Sequence, residues 1–201
     1  MTTMNAVIPI QIPPTLRCTE AQFTELAKCN PDLRWELTAQ GEVIVMPPTG
    51  SETGSFNSEL ISDFVIWNRQ VKTGKVFDSS AGFKLPNGAI RSPDVAWIAQ
   101  ERWAQLSPEQ RRTFAPICPD FVLELVSPAD DLATLEAKMQ EYLENGCRLG
   151  WLVNPETRSV TIYRPKVAPE IVTFDVLLSG EDVLPGLTLD LRHIFGYDTS
   201  P

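Results

Sequence analysis

The sequence predicts an α/β fold of the α+β kind, a central mixed β-sheet flanked by helices, and three observations predict it. Phe121-Val122-Leu123-Glu124-Leu125-Val126 is apolar on both alternating faces except at Glu124, the pattern of a strand covered on both sides. Phe56, Leu60, Ile61, Phe64 and Trp67 recur at helical spacing, as do Leu132, Leu135, Met139, Tyr142 and Leu143. Around these lie short β-branched and aromatic runs separated by Gly, Pro and Asn, which read as hairpins.

The elements follow in order. Residues 1–15 hold Ile8-Pro9 and Ile12-Pro13-Pro14 with little periodicity and read as an extended N-terminal arm. Thr19 and Gln22 form a capping box for a short helix with Phe23 and Leu26 on one face, ended by Asn30-Pro31. Trp35 to Leu37 and Val43-Ile44-Val45-Met46 flank Gly41 as a hairpin, stopped by Pro47-Pro48, since proline cannot donate to a ladder. After a polar loop and the helix around 56–67, strands are expected at Lys75-Val76-Phe77, at 81–85 and at 90–98. Asn87-Gly88 turns the last two. Ser107-Pro108 opens a short helix. The strand 121–126 leads into a helix over 130–145, closed by Gly146. Residues 149–153 and 160–163 pair through Asn154-Pro155-Glu156-Thr157, and weak strands near 171–178 and 187–191 finish the chain.

The 201 residues fit one domain, expected over 16–201, that buries a core without staples. No apolar run is long enough to span a bilayer, and no basic segment followed by an apolar core opens the chain, so a cytoplasmic location is expected with no membrane partner. The four cysteines match no CxxC pattern and are expected to be reduced and mostly buried. A single histidine, His193 near the C-terminus, removes most zinc sites and weighs against a Ser–His–Asp hydrolase. Any catalysis must therefore rest on carboxylates and lysine. The net charge of −9 weighs against nucleic-acid binding, which feeds on phosphate neutralisation. Yet Arg69, Lys72, Lys75, Lys84 and Arg91 share one stretch with Asp78 as its only acid. That stretch is either a nucleic-acid-binding edge or a solvated basic surface.

Glu124 carries the most information. A carboxylate within a central strand is costly to desolvate unless it is paired, for example with Arg91, or binds a cation. Asp94 follows Ser92-Pro93 where a strand begins or bends. With Glu124 on a neighbouring strand it would make a hard-oxygen site for Mg²⁺ or Mn²⁺. Lys138 flanks the core face of the next helix and either snorkels to solvent or reaches over the strand toward Glu124.

Ser92-Pro93-Asp94, then 119–128 (Pro-Asp-Phe-Val-Leu-Glu-Leu-Val-Ser-Pro), Lys138 and Tyr142, then Gly150-Trp151-Leu152-Val153-Asn154-Pro155 and Ile162-Tyr163-Arg164 resemble the Uma-type endonuclease family. That family belongs to the restriction-endonuclease-like PD-(D/E)XK superfamily, and the resemblance runs from about residue 34 to 191. It implies a restriction-endonuclease-like sheet with additional hairpins. It also implies metal ligation by Asp94, Glu124 and the main-chain carbonyl of Leu125. The superfamily's usual lysine would fall at Val126, so the resemblance moves that role to Lys138. Glu52, in the first turn of its helix, and Tyr142 are further candidates, although the helix macrodipole alone explains an acid at Glu52.

The function this implies is Mg²⁺- or Mn²⁺-dependent cleavage of phosphodiester bonds in DNA, with Lys138 assisting the attacking water. The alternative is a catalytically inactive module of the same fold that binds nucleic acid or oligomerises. A homodimer is expected by analogy with nucleases whose two-fold symmetry matches duplex DNA. Trp35, Trp67, Trp97 and Trp151 sit in apolar settings and read as core, whereas Trp103 lies in a polar segment and marks a surface or an interface.

Overall fold

The computed structural model describes residues 12–13 and 15–196. The arm expected over 1–15 lies almost wholly outside the described residues. The elements run α1 (Glu20–Cys29), β1 (Arg34–Leu37), β2 (Val43–Met46), α2 (Ser51–Val71), β3 (Gly74–Asp78), β4 (Phe83–Lys84), β5 (Ile90–Arg91), β6 (Val95–Ala99) and α3 (Gln100–Ala104). After a 3-10 turn at Gln110–Arg112 come β7 (Phe121–Leu125), α4 (Leu132–Glu144), β8 (Leu149–Asn154), β9 (Ser159–Tyr163), β10 (Glu170–Thr173), β11 (Leu178–Ser179), β12 (Thr188–Leu189) and α5 (Leu191–Ile194).

The main sheet has six strands in the order β10-β9-β8-β7-β6-β3. Its one parallel pair, β7 with β8, is joined by α4, because parallel neighbours need a crossover. The other pairs are antiparallel. A second sheet of four strands runs β2-β1-β5-β4. This is the mixed sheet flanked by helices that the sequence predicts.

The strand expected over 90–98 is two strands in two sheets. β5 pairs with β1 and β4, whereas β6 pairs with β3 and β7. Pro93 lies in the break. It has no N–H for a ladder and holds Ser92 extended, so the chain leaves one sheet there and enters the other. The helix expected after Ser107 shrinks to the 3-10 turn, and α3, unforeseen in the sequence, follows β6 directly.

Strand periodicity divides the core. Phe121, Leu123 and Leu125 point to one face of β7 and join Leu60, Phe64 and Trp67 of α2 in the largest apolar cluster. Val122 points the other way, to Met139 and Tyr142 of α4. Glu124 shares that second face by the same alternation. Trp35, Trp67, Trp97 and Trp151 are buried, as expected of core residues, and Trp103 is only half-buried. All four cysteines are free. Cys118 and Cys147 are buried, Cys18 is half-buried and Cys29 exposed. Among the described residues no helix is long and apolar enough to cross a membrane.

Candidate active site

Glu124 stands one residue from the end of β7 on the α4 side, 4% exposed. α4 starts at its N-cap Asp131, whose side chain accepts the Thr134 amide at 3.0 Å. This fixes the helix phase. Leu135, Lys138, Met139 and Tyr142 then share a stripe at spacings of three and four residues. Lys138 is thus inside the packed stripe, only 7% exposed, and does not snorkel. Its Nζ lies 2.8 Å from Glu124 Oε1. One turn on, the Tyr142 hydroxyl donates to the same oxygen at 3.1 Å.

Asp94 enters from the neighbouring strand. The ladder between β6 and β7 ends at Val95 opposite Leu123, so the Leu125 amide has no partner on β6. The Asp94 carboxylate accepts it at 2.9 Å. The Ser92-Pro93 break thereby aims Asp94 across the end of β7, beside Glu124.

Sequence reasoning missed Glu36. It lies on β1, 2% exposed, with Oε1 2.8 Å from Lys138 Nζ. The same carboxylate accepts the Ser92 amide at 2.9 Å and the Arg91 guanidinium at 3.0 Å. Arg91 also donates to Glu141 at 2.6 Å. Arg91 therefore serves Glu36 and Glu141 and is not the partner of Glu124. The signal was present, since Glu36 stands between Trp35 and Leu37 much as Glu124 stands between Leu123 and Leu125.

The two acids facing Lys138 respond differently. Burial pushes the Glu124 carboxyl up, and the like charges of Asp94 and Glu36 add to this against the pull of Lys138, bringing it to about 8. Burial also raises Asp94, only partly offset by the Leu125 amide and Lys138. For Glu36 burial acts upward too, but Lys138 and Arg91 outweigh it and hold the carboxyl below the usual range. The difference is one of partners: Glu36 has two cations and an amide, whereas Glu124 has one cation and two acid neighbours. Burial works against the Lys138 charge, but Glu124 and Glu36 overcome it and keep the ammonium protonated.

Asp94, Glu124 and Leu125 line a cavity of about 620 Å³, together with Glu52 and Asn57 from the start of α2 and Arg34 from β1. The Asn57 Oδ1 is buried and has no hydrogen-bond partner. The Arg34 guanidinium donates to Ser79 on the cavity wall and acts electrostatically on Asp94. Asp94, Glu124, Lys138, Tyr142 and, at the rim, Glu52 are thus gathered in one region. The basic stretch is not. Arg69, Lys72 and Lys75 are exposed at the α2–β3 corner, Lys84 pairs with Glu20, and Arg91 is buried. Among the described residues there is no group of three or more His, Cys, Asp or Glu side chains set to hold a metal ion.

Comparison with known proteins agrees with this architecture. No curated protein matches the chain significantly. A solved structure from Anabaena variabilis, described as a putative nuclease belonging to DUF820, superposes with a TM-score of 0.69 at 21% identity. The match covers 81% of this chain and 90% of that one, and shows a shared fold. The family model for Uma2, described as "Putative restriction endonuclease", matches residues 21–192. With its restriction-endonuclease-like fold, the chain belongs to the Uma2 family, within the PD-(D/E)XK-like superfamily.

Proposed function

We propose that this chain hydrolyses phosphodiester bonds in DNA, with a divalent metal held by Asp94 and Glu124. The observation that carries the reading is the buried Lys138 ammonium, 2.8 Å from a carboxylate that shares a cavity with Asp94. The donor set fits Mg²⁺ or Mn²⁺, because Mg²⁺ keeps several waters and needs only one or two carboxylates. The orphaned Asn57 Oδ1 supports the fit, being a buried acceptor in the same cavity that awaits a donor such as a bound water. The Leu125 carbonyl and Glu52 complete the candidate ligand set. When bound, the metal supplies an activated water and charge neutralisation at the phosphoryl oxygens.

The protein groups divide the remaining work. The Leu125 amide holds the Asp94 carboxylate, and the Tyr142 hydroxyl holds that of Glu124. Lys138 stands ready to orient the attacking water and to offset charge on the phosphate as it grows. Glu36 keeps that lysine both charged and in place. Arg34 faces the cavity as a cation for the phosphate, which suits a planar guanidinium.

A second reading, binding or assembly without cleavage, has its own support. Glu124 is already engaged by Lys138 and Tyr142, Asp94 by an amide, and among the described residues no three-side-chain metal cluster stands assembled. Incubating supercoiled DNA with Mg²⁺ or Mn²⁺ separates the two. Cleavage by the wild type, reduced at least about a hundred-fold in Asp94→Asn and Glu124→Gln, supports hydrolysis. Binding without cleavage, unchanged in both variants, supports the second reading and refutes the first.

A further inference from the structure

A second cavity, of about 510 Å³, lies across the β3–β4 turn from the first. Ser79 lines the first and Ser80 the second, so one turn forms the wall between them. Phe77, Trp103 and Phe114 line it, and the Phe77 and Trp103 rings meet at 5.1 Å. Trp103 is half-buried, unlike the other four tryptophans. The Arg111 guanidinium lies 5.6 Å from the Trp103 ring centroid. Lys28 and Arg112 complete a cationic rim, and no acidic side chain lines the cavity among the described residues. In a chain with 26 acids and 17 bases that is an unusual local balance. Two acids touch lining residues from outside the cavity: Asp78 accepts the Ser80 amide at 3.0 Å, and Glu25 lies 3.5 Å from Lys28 on the exposed side of α1.

Aromatic walls under a cationic rim suit a planar group attached to an anion. Bases stack on aromatic rings and on guanidinium planes, and phosphates seek Arg and Lys. We propose that this cavity takes one nucleotide of a DNA strand whose neighbouring phosphate occupies the site at Asp94 and Glu124. The base lies against Trp103 and Arg111, and its phosphate meets Arg112. The proposal rests on the phosphodiesterase reading for the strand's placement, and the aromatic cavity itself supplies the base recognition. A cleaved strand is thereby gripped at a base beside the cut, which favours unpaired over fully stacked DNA.

The test is tryptophan fluorescence of the full chain, titrated in EDTA with a short single-stranded oligonucleotide. The comparison ligands are the same oligonucleotide with abasic positions and free deoxyadenosine monophosphate. The expected result is quenching by the oligonucleotide, with affinity about ten-fold weaker for the abasic version. Trp103→Phe keeps the ring packing and should remove most of the quench, and Arg112→Gln, on the exposed rim, should weaken binding several-fold. Equal affinity for normal and abasic strands overturns the proposal, whatever the cleavage assay gives. Free mononucleotide binding as tightly as the strand also overturns it, because the cavity would then be a site for a diffusible nucleotide. Base-dependent quenching that persists in Asp94→Asn supports the cavity independently of catalysis. Failure of the wild type to cleave while the quench remains refutes only the catalytic reading.

Discussion

At the scale of single residues, Lys138 is held between two buried acids, Glu36 and Glu124. Lys138→Met removes the cation that bridges Glu124 and Glu36 and leaves the two carboxylates without the ammonium between them. Breaking a buried pair from one side costs about 3–5 kcal/mol, so urea unfolding should show a loss of that order. A change under about 0.5 kcal/mol, ordinary for a surface site, would contradict the burial of Lys138. Glu124 makes a prediction in pH. Its native carboxyl is raised from 4.5 to about 8, so between those values the native state holds a proton that the unfolded state has lost. Stability in EDTA therefore falls as pH rises from about 5 to about 8. Thermal melts across that range should show the decline, and Glu124→Gln should flatten it. An equal slope in both proteins would place the proton elsewhere. Glu36 works in the opposite sense: its lowered carboxyl contributes stability that is lost as pH falls below the usual carboxylate range. Glu124 was legible in the sequence because five apolar neighbours surround it. Glu36 was not singled out, because Trp35-Glu36-Leu37 is too short to distinguish a buried strand from a half-exposed hairpin.

At the scale of elements, the site depends on where strands stop. The helices and hairpins with strong periodicity were legible, and β7 was recognised as central from its two apolar faces. The split of 90–98 was not, since the run on both sides of Pro93 is apolar and only the pairing partners reveal two sheets. α3 escaped because Gln100–Ala104 is too short for a periodic signal. Two glycines test the packing that holds these elements. A Cβ at Gly74 would lie 2.3 Å from the Ile98 carbonyl oxygen and 2.4 Å from the Trp97 indole. That indole is pinned by its 3.1 Å bond to Asn68, so it cannot yield. Gly74→Ala should cost about 1–3 kcal/mol in chemical denaturation. Gly54, within α2, has only Thr49 Oγ1 near its Cβ position, at 3.8 Å. Gly54→Ala should therefore add about 0.5–1 kcal/mol. The reverse ranking of the two variants would mean that β3 and β6 do not meet as described.

At the scale of the whole molecule, charge distribution matters more than its sum. A net charge of −9 repels a polyanion at long range, yet the two cavities present Arg34, Lys28, Arg111 and Arg112 locally. Few phosphates are contacted in such an arrangement. Binding of single-stranded DNA should therefore weaken with salt at a log–log slope of about 2–3, well below that of proteins making 6–10 phosphate contacts. A slope near 6 or above, read from anisotropy titrations, would require a larger basic surface than these cavities offer. The basic stretch read from the sequence does not supply one, because its cations are scattered over a corner, an ion pair and the buried Arg91. Linear proximity could not reveal that, since folding sends β3 to the six-stranded sheet and β4 and β5 to the four-stranded one. The central claim is that Asp94 and Glu124 jointly hold one divalent ion, and calorimetric titration with Mn²⁺ reads it most directly. A saturable isotherm is expected for the wild type, with affinity at least about ten-fold weaker in Asp94→Asn and in Glu124→Gln. Three superimposable isotherms, or no heat of binding in the wild type, would contradict it.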